Sequence, residues 1–295
     1  MQKVLAIAGA TASGKSDVAI KLAKKLNGEI ISMDSMQIYR NMNIGTAKIS
    51  SLEMDNIPHH MIDIVNPESS FSVSDFVKIA KEIIIDITNR GKLPMLVGGT
   101  GLYFESLIYP FNFGCAKSDE KIKAKLYSEL EQYGEQYLHN KLKAIDPIDA
   151  EKIHPNNTKR LIRALEIFEL TGNTKSNSAQ SKNLVYDIDM YVLDWNREIL
   201  YDRIKKRVDI MFKNGLLEEV TNLIKNGLTF DMQSMQGIGY KEFKGYFEQK
   251  CDINQVKNSI ILNSRHYAKR QITWFKRYKF ATFISPQELL NKFLV

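Results

Sequence analysis

The chain reads Gly9-Ala10-Thr11-Ala12-Ser13-Gly14-Lys15-Ser16 near its amino terminus, which is the spacing of a phosphate-binding P-loop. The glycines let the backbone turn tightly, so that successive N–H groups point at one anion. Lys15 adds a positive charge, and the Ser16 hydroxyl can hold Mg²⁺. An apolar run at residues 4–8 precedes the motif, and a helical pattern at residues 17–26 follows it. The segment therefore predicts a site for a phosphate-bearing ligand.

Strand-like and helix-like segments alternate through the first hundred residues. Short apolar runs predict buried strands at residues 4–8, 29–33 and 95–97, and residues 76–89 have helical spacing. This alternation predicts an α/β fold with a P-loop parallel-sheet core. Because ligands gather at the carboxyl ends of parallel strands, we expect the P-loop, Asp34 and Thr100 to face one crevice.

The pattern changes near residue 115, where charged amphipathic segments begin. Helices are predicted at residues 120–133, 134–143 and 157–170, and a polar stretch at residues 171–183 predicts a mobile loop. After it, strands are predicted at residues 186–193 and 282–284, and helices at residues 198–212, 216–225 and 253–278. The chain is thus predicted to have a first core part at residues 1–114, an inserted helical domain at residues 115–184, and a core return with a helical carboxy-terminal region at residues 185–295.

The net charge is +7 over 295 residues, which favours an anionic partner. One segment has six basic residues and no acidic one: Arg265, Lys269, Arg270, Lys276, Arg277 and Lys279. A stripe of Ile261, Ala268, Ile272 and Phe275 predicts that this helix packs on the core. Its basic face then either binds RNA phosphates, together with Tyr267, Trp274 and Tyr278, or is merely solvated.

Two cysteines, Cys115 and Cys251, match no zinc or redox spacing, so we expect no disulfide and a reducing, cytoplasmic compartment. No apolar stretch reaches the roughly 18 residues of a membrane helix, and no membrane partner is predicted.

Asp34 directly follows the second predicted strand and has three interpretations. Asp34 and Gln37 have the spacing of a capping box, which predicts a helix cap. The carboxylate could instead hold Mg²⁺ indirectly, or act as a general base beside the phosphate site. Position alone does not separate these interpretations.

Further motifs follow in a fixed order along nearly the whole chain. They are Asp34-Ser35-Met36-Gln37-Ile38-Tyr39, Ile44-Gly45-Thr46-Ala47-Lys48, Pro58-His59-His60, Gly98-Gly99-Thr100-Gly101-Leu102-Tyr103, His154-Pro155-Asn156, Lys159-Arg160-Leu161-Ile162-Arg163-Ala164-Leu165-Glu166, Gly237-Ile238-Gly239-Tyr240 and Ala268-Lys269-Arg270-Gln271-Ile272-Thr273-Trp274. In these motifs the chain resembles the tRNA dimethylallyltransferases, also called tRNA isopentenyltransferases, of the bacterial type. Ala10 is a departure, since the family commonly has proline there. The resemblance implies a monomeric tRNA-modifying enzyme.

The resemblance implies a specific reaction. A dimethylallyl group moves from dimethylallyl diphosphate to N6 of the adenosine 3′-adjacent to the anticodon in tRNA, and pyrophosphate is released. Asp34 would accept the proton, with Arg207 and Thr100 in the catalytic set; from the residues alone, Arg207 fits a solvated helix face and Thr100 a turn. Mg²⁺ would bind at Ser16. The diphosphate would be held by Arg203 and the P-loop residues Gly9, Ala10, Thr11, Ala12, Ser13, Gly14, Lys15 and Ser16.

The adenosine must leave its stack for N6 to reach a buried allyl carbon, so the protein has to grip the anticodon stem-loop. Lys123, in the predicted insertion, is an additional candidate for tRNA binding. By resemblance, the tRNA-binding residues are Asp34, Ser35, Met36, Gln37, Thr100, Lys159, Arg160, Leu161, Ile162, Arg163, Gln236, Gly237, Ile238, Gly239, Tyr240 and Lys241. Arg270 is a further candidate because it lies on the basic face of the helix predicted at residues 253–278.

Three other functions fit parts of the sequence. A P-loop nucleotide or small-molecule kinase shares the core fold, and Asp194 at the end of a later strand suits it. Against it, the third strand ends in Gly98-Gly99-Thr100 and not in a carboxylate for Mg²⁺. The others are a prenyltransferase acting on free AMP or ADP, and an RNA-binding protein that keeps the P-loop only as a fold element.

Overall fold

The computed structural model describes residues 1–110, 119–174 and 183–294. These residues form two compact units, Met1–Ile108 with Leu184–Val295, and Tyr109–Asn183. The domain boundaries expected from the sequence, after residues 114 and 184, stay predictions. Cys115 and most of the predicted polar loop lie outside the described residues.

The first unit contains a six-stranded parallel sheet, which confirms the predicted α/β class. The strand order is β3-β2-β4-β1-β5-β6. In chain order the strands are β1 Lys3–Gly9, β2 Gly28–Met33, β3 His59–His60, β4 Leu93–Gly98, β5 Asp187–Leu193 and β6 Thr282–Ile284. The β3 strand has only two residues and is too short to produce a sequence pattern.

The helices surround this sheet or form the second unit. In chain order they are α1 Lys15–Leu26, α2 Val73–Asn89, α3 Gly101–Ile108, α4 Glu120–Ile145, α5 Pro147–Lys152, α6 Thr158–Thr171, α7 Arg197–Lys213, α8 Leu216–Lys225, α9 Lys244–Phe247, α10 Ile253–Phe275 and α11 Pro286–Leu294. The sequence did not predict α3, α5, α9 or α11. The α3 segment is apolar almost throughout, so it lacks the polar face on which helical periodicity depends.

One core layer packs Leu5 and Ile7 of β1 against Leu22 of α1 and Leu289 of α11. A second layer is formed by α2, α3 and α10. In that layer Phe76 stacks on Tyr103 with ring centroids 3.8 Å apart. Burial of such side chains stabilises the fold by about 1.5–3 kcal/mol each.

The sheet register brings the carboxyl ends of the strands together. Ala8 pairs with Gly98, Gly9 with Leu193, and Met33 with Gly98. The P-loop, Asp34 and the Gly99–Thr100 turn therefore leave the sheet at one edge, as the strand pattern predicts.

The second unit is helical and has its own core. Leu126 and Leu138 of α4 pack against Leu161 and Leu165 of α6. Gly134 has φ 78° and ψ 176°, so α4 consists of two helical stretches that meet at this residue. The sequence predicted two helices divided at the same position.

Candidate active site

The P-loop connects β1 to α1 and presents backbone donors. Gly14, the residue before α1, is left-handed with φ 85°, and Ala12, two residues earlier, adopts φ 61° despite its side chain. Gly14 has no side chain with which to cap the first turn of α1. Because the first N–H groups of a helix have no intrahelical acceptor, this turn favours an anion.

Lys15 lies inside the P-loop, where its Nζ donates to the Ala10 carbonyl at 2.6 Å. Burial, with a smaller contribution from the charge of Arg207, lowers the pKa of Lys15 to about 7, although the charge of Asp34 opposes the shift. Two cations close together without full compensation make the loop a strong site for a multivalent anion.

Arg203 and Arg207 of α7 both face the P-loop. Arg203 Nε donates to the Ala12 carbonyl at 2.7 Å, and its guanidinium lies 4.8 Å from the centre of the Trp195 ring. Trp195 Nε1 donates to the Ser13 carbonyl at 2.9 Å. These contacts place one flat cation along the outer edge of the loop.

Arg207 is the inner cation. Its Nη1 donates to Thr11 Oγ1 and its Nη2 to the Thr46 carbonyl, both at 3.3 Å. Burial lowers the pKa of Arg207, and the charge of Asp34 opposes that shift. Arg207 therefore belongs to the crevice and not to a solvated helix face.

Asp34 uses its two carboxylate oxygens differently. Oδ1 accepts hydrogen bonds from the backbone N–H of Met36 at 2.8 Å and of Gln37 at 3.4 Å. The capped segment is a turn and not the predicted helix. Oδ2 accepts no hydrogen bond from the described residues. The cap and a proton-accepting role are therefore compatible, because each uses a different oxygen.

Thr100 connects the two strand ends. Its N–H donates to the Met33 carbonyl at 3.0 Å, and its Oγ1 accepts from the Ser35 N–H at 3.2 Å. Tyr267 of α10 lies beside it. Burial, together with the charge of Asp34, raises the pKa of Tyr267 to about 12, although hydrogen bonds with Thr100 and Gln271 oppose the shift. The phenol is therefore protonated at neutral pH.

Gln271 is a site residue for which no role was predicted from the sequence. Its Oε1 accepts from the Thr11 N–H at 2.8 Å, and its Nε2 donates to the Gly99 carbonyl at 2.9 Å. A Cβ on Gly99 would lie only 2.0 Å from that nitrogen, so any other residue at position 99 would displace the Gln271 amide. The available signal was a buried polar residue on the otherwise apolar stripe of α10.

Four of the groups described above line a cavity of about 320 Å³. Thr11, Asp34, Arg207 and Tyr267 form its polar wall. The apolar wall consists of Met36, Ile204, Val208, Met211 and Ile260. Small-molecule sites commonly combine such an apolar lining with a few placed polar groups.

Several predicted tRNA-binding residues line the same cavity, namely Ser35, Met36, Gln236, Gly237, Ile238, Lys241 and Arg270. Arg270 is exposed, and its guanidinium lies 5.6 Å from the centre of the Tyr267 ring. Gln37 and Gly239 do not line it; the Gln37 amide instead lies within 3.5 Å of the Thr46 carbonyl. Tyr240 is fully buried and donates its hydroxyl to Glu219 at 2.7 Å. Its assignment as an RNA contact is wrong, because its side chain has no exposed surface.

In the second unit, Lys159, Arg160 and Arg163 are exposed on α6. Lys123 of α4 is half-buried and lies 3.2 Å from Glu120. Leu161 and Ile162 are buried in the core of this unit, with exposed fractions of 0% and 3%. Their predicted contact with tRNA needs correction, since the helix turns these two side chains away from solvent.

Some cations of the predicted basic face of α10 are exposed to solvent, and others contact neighbouring side chains. Lys269, Arg270 and Lys276 are exposed, whereas Arg277 lies 3.1 Å from Glu105. The Arg265 guanidinium lies 4.9 Å from the centre of the Tyr201 ring. Of the predicted apolar stripe, Ala268 and Phe275 are buried, and Ile261 and Ile272 are partly exposed. The helix ends at Phe275, so Tyr278 lies beyond it.

Comparison with known proteins identifies the family. A family model described as IPP transferase matches residues 37–278, and one described as isopentenyl transferase matches residues 2–63. The chain belongs to the tRNA isopentenyltransferases. Proteins named tRNA dimethylallyltransferase from Bacillus cereus (strain B4264) and Bacillus mycoides (strain KBAB4) are each 50% identical over 277 residues, which are 93% of this chain and 87% of the relative.

Solved structures of isopentenyltransferases have the same fold. The tRNA isopentenylpyrophosphate transferase of Bacillus halodurans is 45% identical with a TM-score of 0.76, and the match covers 100% of this chain and 95% of that one. A eukaryotic dimethylallyltransferase acting on tRNA is 32% identical with a TM-score of 0.85, covering 99% of this chain and 76% of that one. Within the described residues, no helix is both long and apolar enough to cross a membrane.

Membership in the isopentenyltransferase family counts against the kinase interpretation. Asp194, the residue that suited a kinase, is exposed after β5, and its Oδ1 accepts from the Trp195 N–H at 3.1 Å. It does not line the cavity, whereas Asp34 does.

Proposed function

We propose that this chain transfers the dimethylallyl group from dimethylallyl diphosphate to N6 of the adenosine 3′-adjacent to the anticodon in tRNA, releasing pyrophosphate. One observation carries the proposal: a single cavity is lined by Thr11 of the P-loop, the cation of Arg207, the carboxylate of Asp34 and an apolar wall. The relatives that share half of its residues are named for this activity.

In the reaction, the lone pair of N6 forms a bond to C1 of the allyl group. The C1–O bond breaks, and its electron pair leaves with the pyrophosphate. The proton lost by N6 passes to Asp34 Oδ2 and then to solvent. An allylic diphosphate ionises readily, so the main tasks are to hold the leaving group and to align the amine.

The P-loop supports the first task. Lys15, Arg203 and Arg207 contact the loop with their charged ends, and the first turn of α1 adds uncapped N–H groups. These donors are in place before the reaction, so they stabilise the developing charge without reorganisation. Tyr267 lines the cavity with Asp34 and supports the second task by bounding the space in which the amine would lie. Thr100 supports it by accepting a hydrogen bond from the N–H of Ser35, the residue after Asp34.

The donor set also fits Mg²⁺. Ser16 is exposed on the first turn of α1 and carries a hydroxyl oxygen, the kind of ligand that Mg²⁺ accepts. In the described part of the chain, no group of three or more His, Cys, Asp or Glu could hold a metal ion. This agrees with an ion held by one protein oxygen and by substrate phosphates. When bound, Mg²⁺ supplies positive charge to the diphosphate oxygens.

Recognition of tRNA is proposed to combine base flipping with phosphate contacts. Gln236, Lys241 and Arg270 line the cavity, and Lys269 and Arg270 are exposed on α10. Exposed cations of this kind bind RNA phosphates, while Tyr267 offers a ring beside the flipped base. The proposal includes a monomeric enzyme that acts in the cytoplasm.

The test is incubation of the purified protein with Mg²⁺, dimethylallyl diphosphate and unmodified tRNA that has adenosine 3′ to the anticodon. Mass analysis of the digested nucleosides is expected to show N6-dimethylallyladenosine. Transfer of labelled phosphate from ATP, without prenylation, would support a kinase instead. Faster prenylation of free AMP or ADP than of tRNA would support a prenyltransferase that acts on free nucleotides.

A further inference from the structure

A single carboxylate holds the backbone of residues 43–45. Glu219 Oε2 accepts from the N–H groups of Asn43 and Ile44, both at 2.8 Å. Its Oε1 accepts from the Gly45 N–H at 3.0 Å and from the Tyr240 hydroxyl at 2.7 Å. Three consecutive N–H groups form an anion-binding concavity, and a side chain of the same chain fills it.

The packing around this carboxylate leaves no space for a side chain at residue 45 or residue 239. A Cβ on Gly45 would lie 2.5 Å from the Tyr240 ring, and a Cβ on Gly239 would lie 2.9 Å from the Gly45 carbonyl. Gly239 also has φ 98°, in the left-handed region. Burial raises the pKa of Tyr240 and the charge of Glu219 adds to the shift, so the phenol stays protonated and donating.

The next residue in the chain is Thr46, whose carbonyl accepts the hydrogen bond from Arg207 Nη2 at 3.3 Å. The other terminal nitrogen of Arg207 donates to Thr11 in the P-loop. The guanidinium therefore has one partner in the P-loop and one in the loop that Glu219 holds. If the backbone of residues 43–45 moved, the second partner of Arg207 would move with it.

We propose that Glu219 is a positioning residue for catalysis, assisted by Tyr240, and that it acts by fixing Arg207 through the Thr46 carbonyl. The inference rests on the proposed function, in which Arg207 stabilises the departing pyrophosphate. It also explains why Gly45, Gly239 and Tyr240 occur in separate sequence motifs: they meet in one packed cluster around Glu219.

The first experiment compares Glu219→Gln with Glu218→Gln, a matched control on the adjacent, exposed residue of α8. Glutamine has the same shape but turns an NH₂ group towards backbone N–H groups. We expect kcat of Glu219→Gln to fall about 30-fold and pyrophosphate affinity about tenfold. Affinity for tRNA should change by less than about twofold, and the control should match the wild type. Unchanged kcat, or equal loss of tRNA and pyrophosphate affinity, would overturn the proposal.

A double-mutant cycle separates positioning from general destabilisation. If Glu219 acts through Arg207, Glu219→Gln should reduce kcat by less than about threefold in an Arg207→Ala background. If the two substitutions reduced kcat independently, so that their fold-reductions multiplied in the double variant, the proposal would be overturned. Tyr240→Phe removes one of the four hydrogen bonds and should lower kcat about fivefold, so it serves if Glu219→Gln does not fold.

A measurement without turnover separates this inference from the proposed function. Amide hydrogen exchange of Asn43, Ile44 and Gly45 should accelerate in Glu219→Gln and stay unchanged in Glu218→Gln. If wild-type protein prenylates no tRNA, the proposed function fails, yet exchange and pyrophosphate binding still test the coupling of Glu219 to Arg207. If these amides exchanged as slowly in Glu219→Gln as in the wild type, the proposed coupling of Glu219 to Arg207 would be overturned even in an active enzyme.

Discussion

Two cationic side chains of this site are partly removed from water. Lys15 and Arg207 have lowered pKa values because both are buried, and the charge of Asp34 opposes each shift. The strand pattern predicted that Asp34 faces the P-loop, which contains Lys15, whereas Arg207 was expected there only from the resemblance to the family. The sequence could not predict Gln271, because the contact of that residue with Thr11 spans 260 positions and depends on which side of α10 faces the loop.

Asp34→Asn separates the two uses of this carboxylate. The amide oxygen of asparagine can still accept the Met36 N–H, but the side chain cannot accept a proton. We therefore expect kcat to fall by a factor on the order of 10² or more, with unchanged pyrophosphate affinity and thermal stability. Single-turnover kinetics and thermal melts check this. Nearly normal turnover would leave Asp34 with the turn-capping role alone.

Lys15 should make diphosphate binding dependent on pH. Its pKa of about 7 in the free protein lies below the ordinary lysine value, so above about pH 7 the side chain is largely neutral. A bound anion favours the charged form, so binding takes up a proton there, and affinity falls as the pH rises. Below about pH 7 the side chain is already charged, and this contribution is absent.

Calorimetry of pyrophosphate binding at about pH 8, in two buffers of different ionisation enthalpy, measures the proton uptake. Lys15→Arg is the control, since arginine is charged throughout this range. The protons of pyrophosphate itself contribute equally to both proteins. Equal uptake by the wild type and by Lys15→Arg would contradict the prediction.

At the scale of the element, α10 serves both substrates of the proposed reaction. Its buried side carries Gln271, which contacts the P-loop, while Lys269 and Arg270 are exposed on its outer side. Helical periodicity predicted the element and its basic face. The pattern missed the end of the helix by three residues, because the turn after Phe275 keeps an apolar residue, Tyr278, buried by tertiary packing.

Arg270→Ala tests the outer side of α10. Removal of one phosphate contact should weaken tRNA binding and reduce the slope of log affinity against log salt by about one. Lys257→Ala is the control on the same helix, because Lys257 lies 2.7 Å from Asp209 and does not line the cavity. Binding isotherms at several salt concentrations check this. An unchanged slope would show that Arg270 contacts no RNA phosphate and only faces solvent.

At the scale of the whole molecule, alternation of strands and helices predicted the parallel sheet, and its interruption predicted a helical insertion. The order of the strands was not predictable, because every strand reads as a buried apolar run whichever neighbours it has. The first unit is continuous across the insertion, since the Val185 N–H donates to the Ile108 carbonyl at 2.9 Å.

Excision of residues 109–183 tests the independence of the first unit. A short glycine-serine linker should join the two ends, because residues 108 and 185 are already hydrogen-bonded. We expect the shortened protein to unfold cooperatively and to bind pyrophosphate within about threefold of the full chain. Affinity for tRNA should fall because the cations of α6 are lost. Loss of pyrophosphate binding in a folded protein would show that the units depend on each other.

The register of β1 has a consequence for synthesis of the protein on the ribosome. Lys3 of β1 pairs with Asp187, and the Thr11 N–H donates to Gln271. The phosphate-binding turn is therefore among the first segments to be translated, but its contacts are among the last to form. Contacts this distant in sequence slow folding. Nascent chains should therefore acquire affinity for diphosphate only after most of the polypeptide has left the exit tunnel.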